Sequence, residues 1–90
     1  MNNTLKKAMK AQAHHLRPVI LMGNKGLTEH LVAATDEALS AHELIKIKLM
    51  GEQKADRLEI AQELCAATHA EIIQIVGRIA TIYRKNPEAK

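Results

Sequence analysis

The sequence predicts an α/β domain, a two-layer sandwich in the order α-β-α-β-α-β-β with a four-stranded mixed sheet. Three observations predict it. Apolar residues recur at helical spacing in three separated stretches, near 3–15, 28–41 and 54–68. The stretches between and after them are short, rich in β-branched residues and bounded by Gly or Pro. The last two of these are separated only by Gly77-Arg78, a spacing that makes a tight hairpin.

The first helix covers 3–15, with Asn2 or Asn3 able to cap it. Leu5, Met9, Ala13 and Leu16 share one face of its wheel, and Lys6, Lys7, Lys10 and His14 share the opposite arc. Pro18 disfavours a helical Arg17 and ends the pattern. Val19 to Met22 is then expected as a buried strand, followed by a Gly23-Asn24-Lys25-Gly26 turn. Thr28 can cap a second helix to about Ala41, whose inner face holds Leu31, Val32, Thr35, Ala38 and Leu39, with His42 at its inner side.

Leu44 to Met50 alternates: Ile45, Ile47 and Leu49 point one way, Lys46 and Lys48 the other. That is a strand with one wet face. A third helix covers about 54–68, with Leu58, Ala61, Leu64, Cys65 and Thr68 inward. Glu71 to Val76 and Ile79 to Arg84 complete the set. Parallel crossovers are right-handed. If the second and third helices cover one sheet face, strands one to three progress in one direction and the fourth pairs antiparallel to the third. The first helix has no preceding strand, so topology does not place it.

Ninety residues fit one domain spanning 1–90. Phe and Trp are absent and Tyr83 is the single aromatic, so the core is aliphatic. Cys65 stands alone, which excludes an internal disulfide and implies a reducing compartment. The apolar run Val19-Ile20-Leu21-Met22 is far short of the roughly 20 residues a membrane span requires. No apolar stretch follows the N-terminal lysines as in a signal peptide, so the expected setting is the cytoplasm.

Charge is segregated along the chain. Lys6, Lys7, Lys10, Arg17 and Lys25 precede residue 27 with no acid among them. Glu29, Asp36, Glu37 and Glu43 follow with no Lys or Arg before Lys46 and Lys48. Glu52, Asp56, Glu59, Glu63 and Glu71 outnumber Lys54 and Arg57, and Arg78, Arg84, Lys85 and Lys90 leave the tail basic. Such a pattern implies a basic and an acidic face, the basic one suited to a polyanion.

Gly23-Asn24-Lys25-Gly26 joins a strand to a helix. Glycines permit positive φ and close approach, the helix N-terminus adds unpaired N–H groups, and Lys25 adds a full charge. The motif is too short for a nucleotide P-loop and lacks the third glycine of a dinucleotide fingerprint. Two readings remain: a plain turn, or the short Gly-x-x-Gly clamp on a nucleic-acid backbone.

Leu16-Arg17-Pro18-Val19, Gly23-Asn24-Lys25-Gly26-Leu27-Thr28, His42-Glu43-Leu44-Ile45-Lys46-Ile47-Lys48, and Gln74-Ile75-Val76-Gly77-Arg78 continuing to Ile82-Tyr83-Arg84 carry a resemblance. In this order and spacing, over about 3–85, the chain resembles the bacterial single-domain CRM proteins of the YhbY type (chloroplast RNA splicing and ribosome maturation). The resemblance implies an RNA-binding domain associated with precursors of the large ribosomal subunit. It also implies strand order 1-2-4-3, similar to the C-terminal domain of bacterial translation initiation factor three. The family's RNA-contacting Gly-x-x-Gly loop maps onto Gly23 to Gly26.

The candidate RNA-binding residues are therefore Gly23, Asn24, Lys25 and Gly26 of the loop, with Lys6, Lys7, Lys10, His15, Arg17, Lys46, Lys48, Arg78 and Arg84 of the basic face. His14 and His15 diverge by about 100° on a helix, and His30, His42 and His69 fall in other segments, so no metal site and no cofactor are expected. Tyr83 either stacks on a base or covers the sheet edge. No catalytic set is visible around Ser40 or Cys65, and no enzyme activity is expected. The expected partner is ribosomal RNA or a precursor large-subunit particle, with no membrane and no small-molecule substrate, and the chain is expected as a monomer. The alternatives are a protein-interaction module acting through the acidic helices, and an enzyme using the glycine loop for a phosphorylated substrate.

Overall fold

The computed structural model describes residues 3–23 and 26–86. Seven elements follow in the expected order: α1 (Asn3–Ala13), β1 (Pro18–Leu21), α2 (Glu29–His42), β2 (Leu44–Lys48), α3 (Lys54–Thr68), β3 (Glu71–Val76) and β4 (Ile79–Tyr83). The sheet is ordered β1-β2-β4-β3, with β1 parallel to β2 and β4 antiparallel to both of its neighbours. Handedness allowed this order without selecting it, and the family resemblance implied it. The β3–β4 hairpin turns at Gly77, whose φ of +60° suits the first central position of a type II′ turn.

Helices α2 and α3 cover one sheet face. Leu31, Leu39, Ala61, Leu64 and Cys65 meet Ile45, Ile47, Ala80 and Ile82 in one apolar cluster. Thr35 and Thr68 are buried there, and each hydroxyl donates to the carbonyl four residues back, Leu31 and Leu64 respectively, at 2.8 Å. No polar group is thereby buried without a partner at these two positions. Thr28 caps α2 as expected, its Oγ1 accepting from the Leu31 N–H at 3.1 Å.

Helix α1 lies on the opposite face, which supplies the placement that topology left open. Ala13, Leu44 and Ile73 form a second small core, with Met9 and Tyr83 packed against it. Tyr83 is therefore half-buried in a core rather than presented as a platform for a base. Ile73 faces α1 by alternation with Ile72, and an irregularity in the β3–β4 pairing between Ile72 and Gln74 returns Ile75 to the helical core beside Ile72.

One strand and two helical positions differ from expectation. β1 is not a buried strand: Val19 is 53% and Leu21 69% exposed. It lies at a sheet edge, and α1 packs chiefly on β2 and β3. Only Ile20 and the following Met22 reach the main core. His42, the last residue of α2, is exposed, because the helix ends there and Glu43 turns the chain with φ +62°. Leu58 is also exposed, in the second turn of α3, short of the sheet that covers Ala61, Leu64 and Cys65.

Candidate nucleic-acid interface

Strand register arranges the α1-side face of the sheet in rows. Leu44 and Tyr83 are direct partners and lie beneath α1. Lys46, Thr81 and Gln74 form the next row, each the register partner of its neighbour. Lys48, Ile79 and Val76 form the row beyond, and Leu21 extends it across β1. Cross-strand partners stand about 4.5–5.5 Å apart, so each row is a continuous strip of side chains.

The glycine turn rises from the far end of this face. The Met22 N–H donates to the Lys48 carbonyl at 2.9 Å, and the Leu49 N–H donates to the Arg78 carbonyl at 2.6 Å. These two bonds bring Gly23, Lys48 and Arg78 to the same end of the sheet. The Gly26 N–H donates to the Gly23 carbonyl at 3.0 Å and closes the turn just before the Thr28 cap. Gly26 has φ +70° and needs its glycine, whereas Gly23 lies outside the left-handed region, so the expectation of positive φ holds for one of the two. A Cβ added at either would meet nothing within 4 Å, so both are open to an approaching group. Asn24 and Lys25, expected at the loop tip, lie outside the described residues.

The other candidate residues separate by their surroundings. Lys7, Lys10, His15, Arg17, Lys48 and Arg78 are exposed. Lys6 is half-buried beside Met9 on α1. Lys46 is half-buried and its Nζ donates to the Leu16 carbonyl at 3.2 Å, tying β2 to the chain leaving α1. It is a fixed donor, not a free lysine on a wet face.

Arg84 needs correction as a candidate contact. Its guanidinium pairs with the Asp36 carboxylate, donates to the Thr68 and Asp36 carbonyls at 2.9 and 3.0 Å, and donates to Ser40 Oγ at 2.9 Å. These bonds clamp the end of β4 to α2 and α3. The side chain following Tyr83 must point to the helical face, because Tyr83 itself points to α1.

Six exposed acids lie on the helical side, while exposed Glu71, the register partner of Tyr83, stands on the α1 side. Glu29, Asp36 and Glu37 belong to α2, and Asp56, Glu59 and Glu63 to α3. The sheet separates these six from the cations of α1, so the charge blocks of the sequence become two faces of one small domain.

His14 and His15 close α1, their rings meeting edge-on at 5.7 Å between centroids. His15, Arg17 and the unexpectedly exposed His42 share a cleft of about 410 Å³ at the start of β1. Among the described residues no cluster of three His, Cys, Asp or Glu is placed to hold a metal ion. No described helix is long and apolar enough to cross a membrane. Burial pushes the Cys65 thiol up to about 11, which removes it as a nucleophile at neutral pH. Sequence reasoning did not gather Gln74, Val76, Ile79 and Thr81 with the basic residues. Their signal is the register itself, which places β4 between β2 and β3.

Fold and surface together define an α/β domain whose mixed sheet carries cations on one face and acid-bearing helices on the other. A family model for the CRS1/YhbY (CRM) domain matches residues 1–84, and the chain belongs to that family. It is 43% identical over 83 residues to a probable RNA-binding protein of Pseudomonas aeruginosa, covering 92% of this chain and 80% of that one. It is 40% identical over 85 residues to an RNA-binding protein of Haemophilus influenzae, covering 94% and 86% of the two chains. The fold matches the solution structure of a Staphylococcus aureus protein with a proposed RNA-binding role, with a TM-score of 0.87 at 30% identity, covering 100% of this chain and 94% of that one.

Proposed function

We propose that this protein binds folded RNA through its sugar-phosphate backbone, without catalysing a reaction, and that the RNA is large-subunit ribosomal RNA in an assembling particle. The observation that carries this reading is the exposure of Lys7 and Lys10 on α1, Arg17 before β1, and Lys48 and Arg78 at the end of the sheet that leads to the glycine turn, with the exposed acids of α2 and α3 across the sheet. The RNA-binding names of its relatives support it. Phosphates approach the turn at Gly23 and Gly26, which carry no side chain of their own, and meet N–H groups at the start of α2. The exposed lysines and arginines neutralise further phosphates as the RNA lies across α1. Arg84 and Tyr83 are occupied in the fold, so recognition rests on charge and backbone shape rather than on aromatic stacking. The protein acts as a monomer in the cytoplasm.

A salt titration tests the reading. With about four to six phosphates neutralised, log affinity for a large-subunit ribosomal RNA fragment should fall against log salt with a slope of about −3 to −5. Replacing Lys10 or Arg17 by Gln should each lower the slope by about one. A flat response removes the basic-face reading. Sedimentation of cell extract tests the partner: the protein should travel with precursor large-subunit particles, and its absence from them would remove that assignment.

A further inference from the structure

We infer that the open half of the α1-side sheet face holds one unstacked base of the bound RNA, with Gln74 at the base's polar edge. The inference rests on the RNA-backbone reading above and adds to it a contact that phosphate binding does not require. His14, Lys46, Gln74, Val76, Ile79 and Thr81 line a cleft of about 220 Å³ there. Pockets that enclose drug-sized molecules run to roughly 300–1,000 Å³, so this one suits a single ring system.

Its composition is that of a base site. The floor is apolar at one end, where Val76 is 64% exposed beside Ile79, although both stand on a sheet face that water otherwise reaches. The row behind it is polar, Lys46, Thr81 and Gln74 in direct register. A primary amide both donates and accepts, which matches the edge of any base. Lys46 is held at the rim by its bond to the Leu16 carbonyl. His14 stands at the wall with its ring edge-on to that of His15, and imidazole is among the planar groups on which RNA bases stack.

Charge selects the occupant. An apolar floor in the same row as exposed Lys48, with exposed Arg78 at the adjoining turn and the glycine turn at the same end, suits a ring attached to a polyanion. A nucleotide in a bulge or loop has that form. The base turns into the cleft while its flanking phosphates reach Lys48 and Arg78. A fully paired helix keeps its bases stacked and leaves the cleft unfilled.

The test uses two RNA hairpins, identical except that one carries a single-nucleotide bulge, titrated by fluorescence anisotropy at one salt concentration. The bulged hairpin should bind about tenfold more tightly, the factor that 1.4 kcal/mol supplies. Gln74→Ala and Val76→Ser should each bring the ratio close to one while leaving affinity for the paired hairpin unchanged. Both side chains are at least partly exposed, so both variants should keep the fold, as their melting curves would show. Equal binding of the two hairpins by the unaltered protein overturns the inference and leaves the backbone reading standing. A tenfold preference retained by both variants overturns the site assignment. Failure of both hairpins to bind overturns the backbone reading and this inference with it.

Discussion

Replacing Gly23 and Gly26 in turn separates the turn's role in the fold from its role as an approach surface. Gly26 has φ +70°, and nothing lies within 4 Å of a Cβ built there, so the cost of Gly26→Ala is backbone strain alone. A left-handed conformation costs an L-residue roughly 1–2 kcal/mol. Loss of glycine's freedom in the unfolded chain returns about 0.4–1 kcal/mol, leaving a net loss of about 1 kcal/mol. For a domain of this size that lowers Tm by about 4–8 °C. Gly23 has no left-handed φ and the same open space, so Gly23→Ala should leave Tm unchanged or raise it slightly. The binding assay should reverse the ranking of the open position. Gly23→Val places a branched side chain where a phosphate is to approach and should weaken RNA binding about fivefold, roughly 1 kcal/mol, in a protein as stable as the original. Thermal denaturation and a titration with a ribosomal RNA fragment supply both numbers. A Gly23→Val protein that is folded and binds RNA with unchanged affinity would show that the turn is only a turn. A Gly26→Ala protein with unchanged Tm would refute the strain argument.

Arg84→Ala should cost about 2–3 kcal/mol, because it breaks a charge-assisted clamp and leaves the Thr68 carbonyl without that donor, while the salt slope of RNA binding stays unchanged; denaturant unfolding and the salt titration check the two halves. With the Cys65 pKa raised by burial from 9.0 to about 11, only about a thousandth of the thiol is ionised at pH 8, so alkylation of the folded protein should be slow and should accelerate sharply in denaturant. The same shift has a sign for stability: the folded state keeps its proton where the unfolded state has lost it, so this contribution is fully present below pH 9 and is lost as pH rises toward 11. A short unstructured RNA should bind more weakly than a folded ribosomal fragment of equal length, with little dependence on its sequence, because phosphate contacts carry no base identity; a loss of about 1–3 kcal/mol per base change in the short strand would contradict backbone recognition.

Much of the architecture was legible because it is written in local pattern. Thr28 announces the start of α2 with a side chain that can reach the Leu31 N–H, and it does. The alternation through Ile45, Lys46, Ile47 and Lys48 assigns faces before any partner strand is known, and Ile45 and Ile47 are indeed buried. Gly77 allows the hairpin its positive φ. The failures share a cause. Val19 and Leu21 looked buried because an apolar run in a strand implies cover on both faces, yet a strand's cover depends on where the sheet ends and where a distant helix lands. Periodicity marks the apolar side of a helix but not how far the opposing surface extends, so Leu58 looked internal.

The sequence by itself determined the seven elements, the glycine turn before a capped helix and the division of charge into blocks, since each follows from side chains within a few residues of one another. Tertiary structure decided what those charges do. Arg84 and Lys48 look alike in the chain, but pairing beyond Tyr83 turns Arg84 into the α2–α3 clamp, while Lys48 remains in the open. Lys46 is fixed to the Leu16 carbonyl, 30 residues away, only because α1 crosses the sheet face that topology left vacant. The cleft by Gln74 exists only because β4 enters between β2 and β3 and aligns Lys46, Thr81 and Gln74. Such long-range pairings are fixed when separated segments bury their apolar faces together, and no local propensity encodes which of the permitted orders does so best.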